Sequence, residues 1–492
     1  MSNARFFAVC LLTAASLAAV PTAFSQTPSA VSANAEQDAR QHAVSADALL
    51  DKDNVAGAIA EYREALRLNP SYTYAHSRLG NALTDNKQYP EAIAECRAAI
   101  TLKPGYADAH TNLARALFDD KQYADAETEC RQALKLDPKL AAAHEVMGRI
   151  LHQKKQDTAA VAEYKTAVRL DPSRGGTHNR LGILFFGQHR IAEAVKEFQD
   201  AVRLNPSSAA AHDNLGQALF FTDHKAAIAE LTKAVQAKPE QVEYHADLAS
   251  AYADDGQTDL AVSQLRSVFL LQPSAPAPHV ALSNVLRHAG RYDEAIAEVR
   301  TALALKPDDG SALQTLGNIF SERGQHSEAI AEFQQALKLD PDDAHLHNDL
   351  ANAYADQGDT GKAIPEFKEA IRLAPNFTDP YNNLGSVLQD TGQIDAAIAQ
   401  FKNAIRVAPR SDNAYDNLGV AYNQKHRFAE AVSAHLQALK INPKNAHARL
   451  NLGMAYWNAG KTGAAHTEWN KVMTMGNEAM ADKASTYLSQ YP

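Results

Sequence analysis

Only three cysteines and two tryptophans occur in 492 residues, and aromatic residues together make up 7 %. Cys10 lies in an apolar leader, so the body of the chain holds just Cys96 and Cys130. Two cysteines are too few for a disulfide framework, and they lack the paired spacing of a zinc site. Basic residues are also in deficit, with 48 Lys and Arg against 58 Asp and Glu and a formal charge of −10. Phosphate backbones need a basic face, so nucleic acid is not an expected partner, and an anionic membrane is a poor one. Beyond the leader no stretch alternates like a strand, and none is long and apolar enough to span a bilayer. Glycine-rich phosphate loops, H-E-x-x-H, C-x-x-C and G-x-S-x-G are all missing. The expectation is a non-enzyme with no cofactor and no metal.

The leader itself reads as processing information. Arg5 supplies a positive start, Phe6 to Val20 is apolar, Pro21 breaks it, and Ala23-Phe24-Ser25 offers small residues to a signal peptidase. A signal peptide over 1–25, cleaved after Ser25, is expected, with export to the periplasm or the exterior. An uncleaved membrane anchor is the alternative. Residues 26–38 are rich in Ser, Ala, Pro and Gln and read as a flexible spacer.

What the chain does contain is Ala, Leu, Glu, Lys and Gln, good helix formers all, set in a strict period. Prolines stand at 70, 104, 138, 172, 206, 239, 273, 307, 341, 375, 409 and 443, always 34 apart except for one interval of 33 between Pro206 and Pro239. Twelve residues before each proline lies Ala, from Ala58 to Ala431, and five before lies Ala again, except Val268. Nine after each lies Leu, with Met147 the sole substitute, and next comes Gly, Ala or Ser. Leu79, Gly80 and Leu83 mark one face of a first helix; Ala58, Tyr62 and Ala65 mark one face of a second. Small residues at fixed points let two helix axes approach to about 8–10 Å. Proline stops the second helix, and Gly256, Gly290, Gly324, Gly358, Gly392 and Gly460 fall where the first must turn.

This pattern resembles the tetratricopeptide repeat, W-x2-L-G-x2-Y, then A-x3-F, then P. Tyr381, Leu384, Gly385, Leu388, Ala397, Phe401, Ala404 and Pro409 form a clean example. The resemblance implies an all-α solenoid, a right-handed superhelix of about thirteen repeats over 39–477, beginning near 39, 73, 107, 141, 175, 209, 242, 276, 310, 344, 378, 412 and 446. Residues 478–492 read as a C-terminal capping helix, which solenoid ends require. One departure is systematic: where the signature has Trp, nine repeats have His (42, 76, 110, 144, 178, 212, 245, 279 and 347). Equivalent positions stand about 10 Å apart, too far to share a metal that each ligand must approach to about 2 Å. The expected role is packing between helices, with pH sensing the alternative. Cys96 and Cys130 occupy an aromatic core slot, where buried thiols are expected rather than a bond.

The resemblance also implies that first helices line an inner groove. Residues seven and eight after each proline should face it: Asn348, Asn382, Asn383, Asn417 and Asn451, and earlier Asn112, Asn179 and Asn214, with Asn318 and Asn352 one turn further on. An amide both donates and accepts, so a row of Asn can hold an extended peptide by its backbone. The row looks like the Asn-lined repeat region of O-linked N-acetylglucosamine transferases, without their transferase domain. Arg78, Arg115, Arg149 and Arg180 are isolated, so a carboxylate clamp of paired Lys, Asn and Arg is not expected. Near the shortened period, Phe118, Phe186, Phe220 and Phe221 are candidates for an aromatic anchor. The functional expectation is a protein-binding scaffold of the cell envelope, whose partners are other proteins or peptides. The alternative is a substrate-presenting subunit for a separately encoded glycosyltransferase or protease.

Overall fold

A computed structural model describes residues 33–491; the expected signal peptide and most of the expected spacer lie outside the described residues. Among the described residues there are twenty-seven helices and no strand. The chain divides into two compact units, Met1–Pro206 and Ser207–Pro492. The first unit holds α1 (Ala33–Leu50) to α10 (Ile191–Leu204), the second α11 (Ala209–Leu219) to α27 (Glu478–Gln490). Helix α1 starts at Ala33, inside the stretch expected as a spacer, and buries Ala39, Ala43 and Ala46 against α2 (Val55–Leu68). Residues 33–38 bury no side chain fully and extend α1 ahead of the packing face formed by Ala39, Ala43 and Ala46.

Helices pair in sequence, and within each unit each pair packs against the next. The alanine twelve before each proline is fully buried in all twelve repeats that carry one. The small residue after the core leucine shows why it must be small. A Cβ on Gly385 of α21 (Thr378–Asp390) would stand 2.5 Å from Cε1 of Phe401 on α22 (Ile394–Val407). The seams merge in the second unit, where one apolar cluster runs from Ala249 to Ala455. At its C-terminal end Trp469 is fully buried beneath Met480 and Ala484 of α27, so the last helix covers apolar surface.

The first helices turn as the glycines predict, with φ between +72° and +88° at Gly256, Gly290, Gly324, Gly358, Gly392 and Gly460. Lys87, Lys121, Lys155, His189 and His426 adopt the same left-handed conformation without glycine, at φ 57–65°. The missing residue of the 33-residue interval shortens α11, which ends at Leu219. Asp223 then caps α12 (His224–Ala237) by accepting from the Ala226 N–H.

The repeated histidines bridge the two helices of a repeat. In His76, Nδ1 lies 2.6 Å from Oε2 of Glu95 and Nε2 lies 3.0 Å from the Pro70 carbonyl. His110, His144 and His347 repeat both contacts, while His245 meets Gln264 and Pro239. His42, His178, His212 and His279 make the carboxylate contact with Glu61, Glu197, Glu230 and Glu298. Where the position is not His, Tyr381 donates to the Pro375 carbonyl, and Arg449 reaches both Glu468 and the Pro443 carbonyl. Cys96 and Cys130 are separate buried thiols, each pushed up to about 12 by burial.

Candidate functional site

Consecutive first helices touch side by side: α3 (Thr73–Asp85) with α5 (Ala107–Asp119) and α5 with α7 (Ala141–Gln153) in the first unit. In the second, α19 (Ala344–Asp356), α21, α23 (Asp412–Gln424) and α25 (Ala446–Asn458) do the same. Each candidate asparagine lies on a first helix of its own unit, and nine of the ten are partly buried; Asn348 is the one fully packed in.

The structure gives these side chains a sideways task. Asn112 Nδ2 donates to Oγ and the carbonyl of Ser77, at 3.0 and 3.1 Å, across to the preceding first helix. Asn383 donates to Asn348 Oδ1 at 3.2 Å, and Asn451 to both oxygens of Asp416. Gln314 of α17 (Gly310–Glu322) donates to Asp349 of α19 at 2.8 Å. The residue eight after one proline therefore meets the residue seven after the proline before it. The result is a polar rail that joins repeat to repeat. Each such bond spends one amide hydrogen, and an amide has a second hydrogen and a carbonyl with two lone pairs. Asn382 Oδ1 is buried with no hydrogen-bond partner. Asn318, Asn352 and Asn417 sit on the same wall, partly buried; Asn179 and Asn214 are also partly buried, one in each unit.

The wall arginines of the first unit are spent in the same direction. Arg78 binds Asp47 through Nε and Nη2, Arg115 reaches Asp85 and Asn81, Arg149 pairs with Asp119, and Arg180 stands 3.6 Å from Glu145. Burial alone would raise the Asp47 carboxyl, but hydrogen bonds from Tyr62, Tyr74 and Arg78 outweigh it and hold it below its ordinary value. Each arginine thus arrives already neutralised, which leaves it poorly placed to grip a partner's carboxylate.

The four aromatic candidates differ in exposure. Phe118 lies under the Arg149 guanidinium, 4.4 Å from ring centre to Cζ, and edge-on to Tyr123. Phe186 is partly buried. Phe220 packs on Leu231, Leu248 and Ala251, filling the space beside the shortened turn, and only Phe221 is strongly exposed, at 65 %. Phe118 and Phe186 belong to the first unit, Phe220 and Phe221 to the second.

Among the described residues one cluster has metal-ligand composition: His178, Glu197 and Asp200 offer atoms within 4.8 Å of one another. It is the His–Glu bridge of the other repeats with an acidic residue one turn on, and Arg203 already binds Asp200 at 2.8 Å.

Sequence reasoning missed a carboxylate pair. Asp213 on α11 and Asp247 on α13 (Val242–Asp254) occupy matching rail positions, and Gln217 Nε2 donates to both at 2.8 Å. Burial first, then the charge of Asp247, pushes the Asp213 carboxyl up to about 7. Two aspartates one period apart were the available signal.

Comparison with known proteins gives a consistent family. Models described as tetratricopeptide repeat match residues 44–107, 83–150, 141–174, 179–242, 246–310, 378–444 and 426–474, and one described as TPR repeat matches 317–358 and 351–392. No curated protein matches the chain. Among solved structures, the crystal structure of the APC/C hetero-tetramer Cut9–Hcn1 aligns at 15 % identity and TM-score 0.42, covering 91 % of this chain and 95 % of that one. The crystal structure of yeast Tom70 aligns at 16 % identity and TM-score 0.45, covering 92 % and 96 %. With repeat models tiling the helix pairs from residue 44 to 474, the chain belongs to the tetratricopeptide repeat family.

Proposed function

We propose that this protein is a non-catalytic scaffold of the cell envelope that holds extended segments of other proteins along the wall of first helices. Repeats of this family support protein–protein interaction as the general role. The observation that carries the finer reading is the row of partly buried amides at matching positions of successive first helices, above all Asn318, Asn352, Asn382, Asn383, Asn417 and Asn451. A partly buried amide is desolvated on one side yet keeps hydrogen-bonding capacity for a backbone laid across it. Such contacts grip a chain without reading its sequence, which leaves selectivity to the side chains between them.

The export part of the reading rests on the leader, with its positive start, apolar run and small residues before Ser25. Two measurements test the proposal. Fractionation of cells expressing the full chain should place a protein beginning at Gln26 outside the cytoplasm, and an intact cytoplasmic chain would overturn the export reading. For the groove, Asn352→Ala with Asn417→Ala should weaken peptide binding by about five- to 150-fold, each of the two lost hydrogen bonds contributing about 0.5–1.5 kcal/mol. Unchanged affinity would remove these amides from the binding surface.

A further inference from the structure

The rail joins neighbouring first helices by setting a donor against an acceptor. Asn383 faces Asn348, Asn451 faces Asp416, and Gln314 faces Asp349. At the step between α11 and α13 the same two positions hold Asp213 and Asp247, acceptors both. Gln217 lends one amide group to the two of them, and Asp213 Oδ1 is left buried with no hydrogen-bond partner, in a side chain belonging to a residue only 7 % exposed. With both carboxylates ionised the step lacks a donor, and a cation would supply one.

The surroundings fit a cationic side chain. Tyr244 stands one turn before Asp247 on α13, its hydroxyl pushed up first by burial and then by the charge of Asp213, and an aromatic beside carboxylates suits an ammonium or guanidinium. Asp247 is partly exposed, which opens the pair to the wall, while Asp213 lies behind it. Immediately along α13 a cleft of about 620 Å³ opens towards α15 (Pro276–His288). Small side chains such as Ala249, Ala253 and Ala281 make room above Leu265, and Asp254 and Asn284 line it as well. Asp247, Ser250 and Asp254 follow helical spacing on one face of α13, so carboxylate pair and cleft share a wall.

We propose that Asp213 and Asp247 capture a lysine or arginine side chain of a bound extended peptide, whose neighbouring apolar residue enters the cleft between α13 and α15. This rests on the peptide-binding reading above and names the chemistry of the partner: a basic segment with interspersed apolar residues. Without a partner the pair is held by a shared proton, which Asp213 retains up to about pH 7 because burial and the Asp247 charge disfavour a second anion. Glu243, also on α13, adds to the same repulsion, while His212 on α11 is engaged by Glu230 of α12. An arriving cation replaces that proton, so binding strengthens as pH rises.

The test uses the full chain and two labelled nine-residue peptides, three Gly-Leu-Lys triplets and the same sequence with Gln for each Lys, in fluorescence anisotropy at fixed ionic strength. The expected result is a preference for the Lys peptide of about tenfold or more, increasing from pH 6 to pH 8. Asp213→Asn with Asp247→Asn should abolish the preference while circular dichroism stays unchanged and the Gln peptide binds as before. Equal affinity for both peptides on the unmodified chain would overturn the cation subsite and leave the groove reading standing. Binding of neither peptide would overturn both. One-to-one calorimetric binding of Zn²⁺ or Ca²⁺ alone, lost in the double variant, would reassign the pair as a metal site and overturn capture of a basic side chain.

Discussion

His76 and Glu95 face each other across the two helices of one repeat, with Nδ1 2.6 Å from Oε2, while the other ring nitrogen meets the Pro70 carbonyl at 3.0 Å. A carbonyl only accepts and an ionised carboxylate only accepts, so the ring satisfies both contacts best when both nitrogens carry hydrogen. Burial would lower the His76 pKa, but the hydrogen bonds to Glu95 and Pro70 outweigh it and raise the value above 6.5. His110, His144 and His347 make the same two contacts, a structural reason for histidine to recur at this position.

A pH dependence follows from His76. Because its folded pKa is raised, its contribution is fully present below the unfolded value near 6.5 and is lost as pH rises through the folded value. His76→Ala should cost about 1–2 kcal/mol at pH 5.5, and distinctly less at pH 8.5. Thermal or urea melts of both proteins at the two pH values check this. A cost independent of pH would mean the ring acts by packing alone.

Asp213 runs in the opposite sense to an ordinary ion-paired carboxylate. Its folded pKa, about 7, stands above the unfolded 3.8, so the folded form holds the extra proton between those values. Stability contributed by this group falls as pH rises from about 4 to 7. Asp213→Asn should therefore stabilise the chain at pH 8 by about 1–3 kcal/mol and have little effect at pH 4. A destabilised Asn variant at pH 8 would contradict the buried repulsion.

The glycines divide into two kinds. Gly385→Ala forces a Cβ to within 2.5 Å of the Phe401 ring and should cost about 1–3 kcal/mol. Gly463→Ala, in helix α26 (Thr462–Met473), meets nothing within 4 Å and should stabilise by about 0.5–1 kcal/mol. Chemical denaturation of the two variants would reveal the contrast, and equal effects would undo the packing assignment.

Lys121 holds φ 65° in the turn where other repeats use glycine. Lys121→Gly relieves a left-handed side chain worth about 1 kcal/mol, and Gly324→Ala, at φ 72°, should lose a similar amount. Melting temperatures moving in opposite directions would verify the turn geometry.

How far the sequence could be read depended on repetition. Ala58, Leu79 and their counterparts announce the core because each packing environment recurs at every period, and the structure buries them accordingly. The histidine bridges were hidden although their signal was present: Glu stands nineteen residues after His42, His76, His110, His144, His178, His279 and His347. The rail was harder to see. Pairing Asn383 with Asn348 depends on how closely two first helices approach, which is a matter of packing geometry rather than residue type. Phe220 read as an anchor because its register is unusual, but the shortened turn draws it into the core beside Leu231. Lys87 and Lys155 gave no hint of a left-handed turn, since the fold imposes that conformation against their preference.

The central claim is that partners lie along the first-helix wall. Replacing Asn318, Asn352 or Asn417 by a photo-cross-linking phenylalanine, with exposed Lys402 on second helix α22 as control, tests it in living cells. Adducts to a common partner from all three wall positions, and none from Lys402, are the predicted result. Equal adducts from Lys402, or none from the wall while Lys402 reacts, would contradict the account.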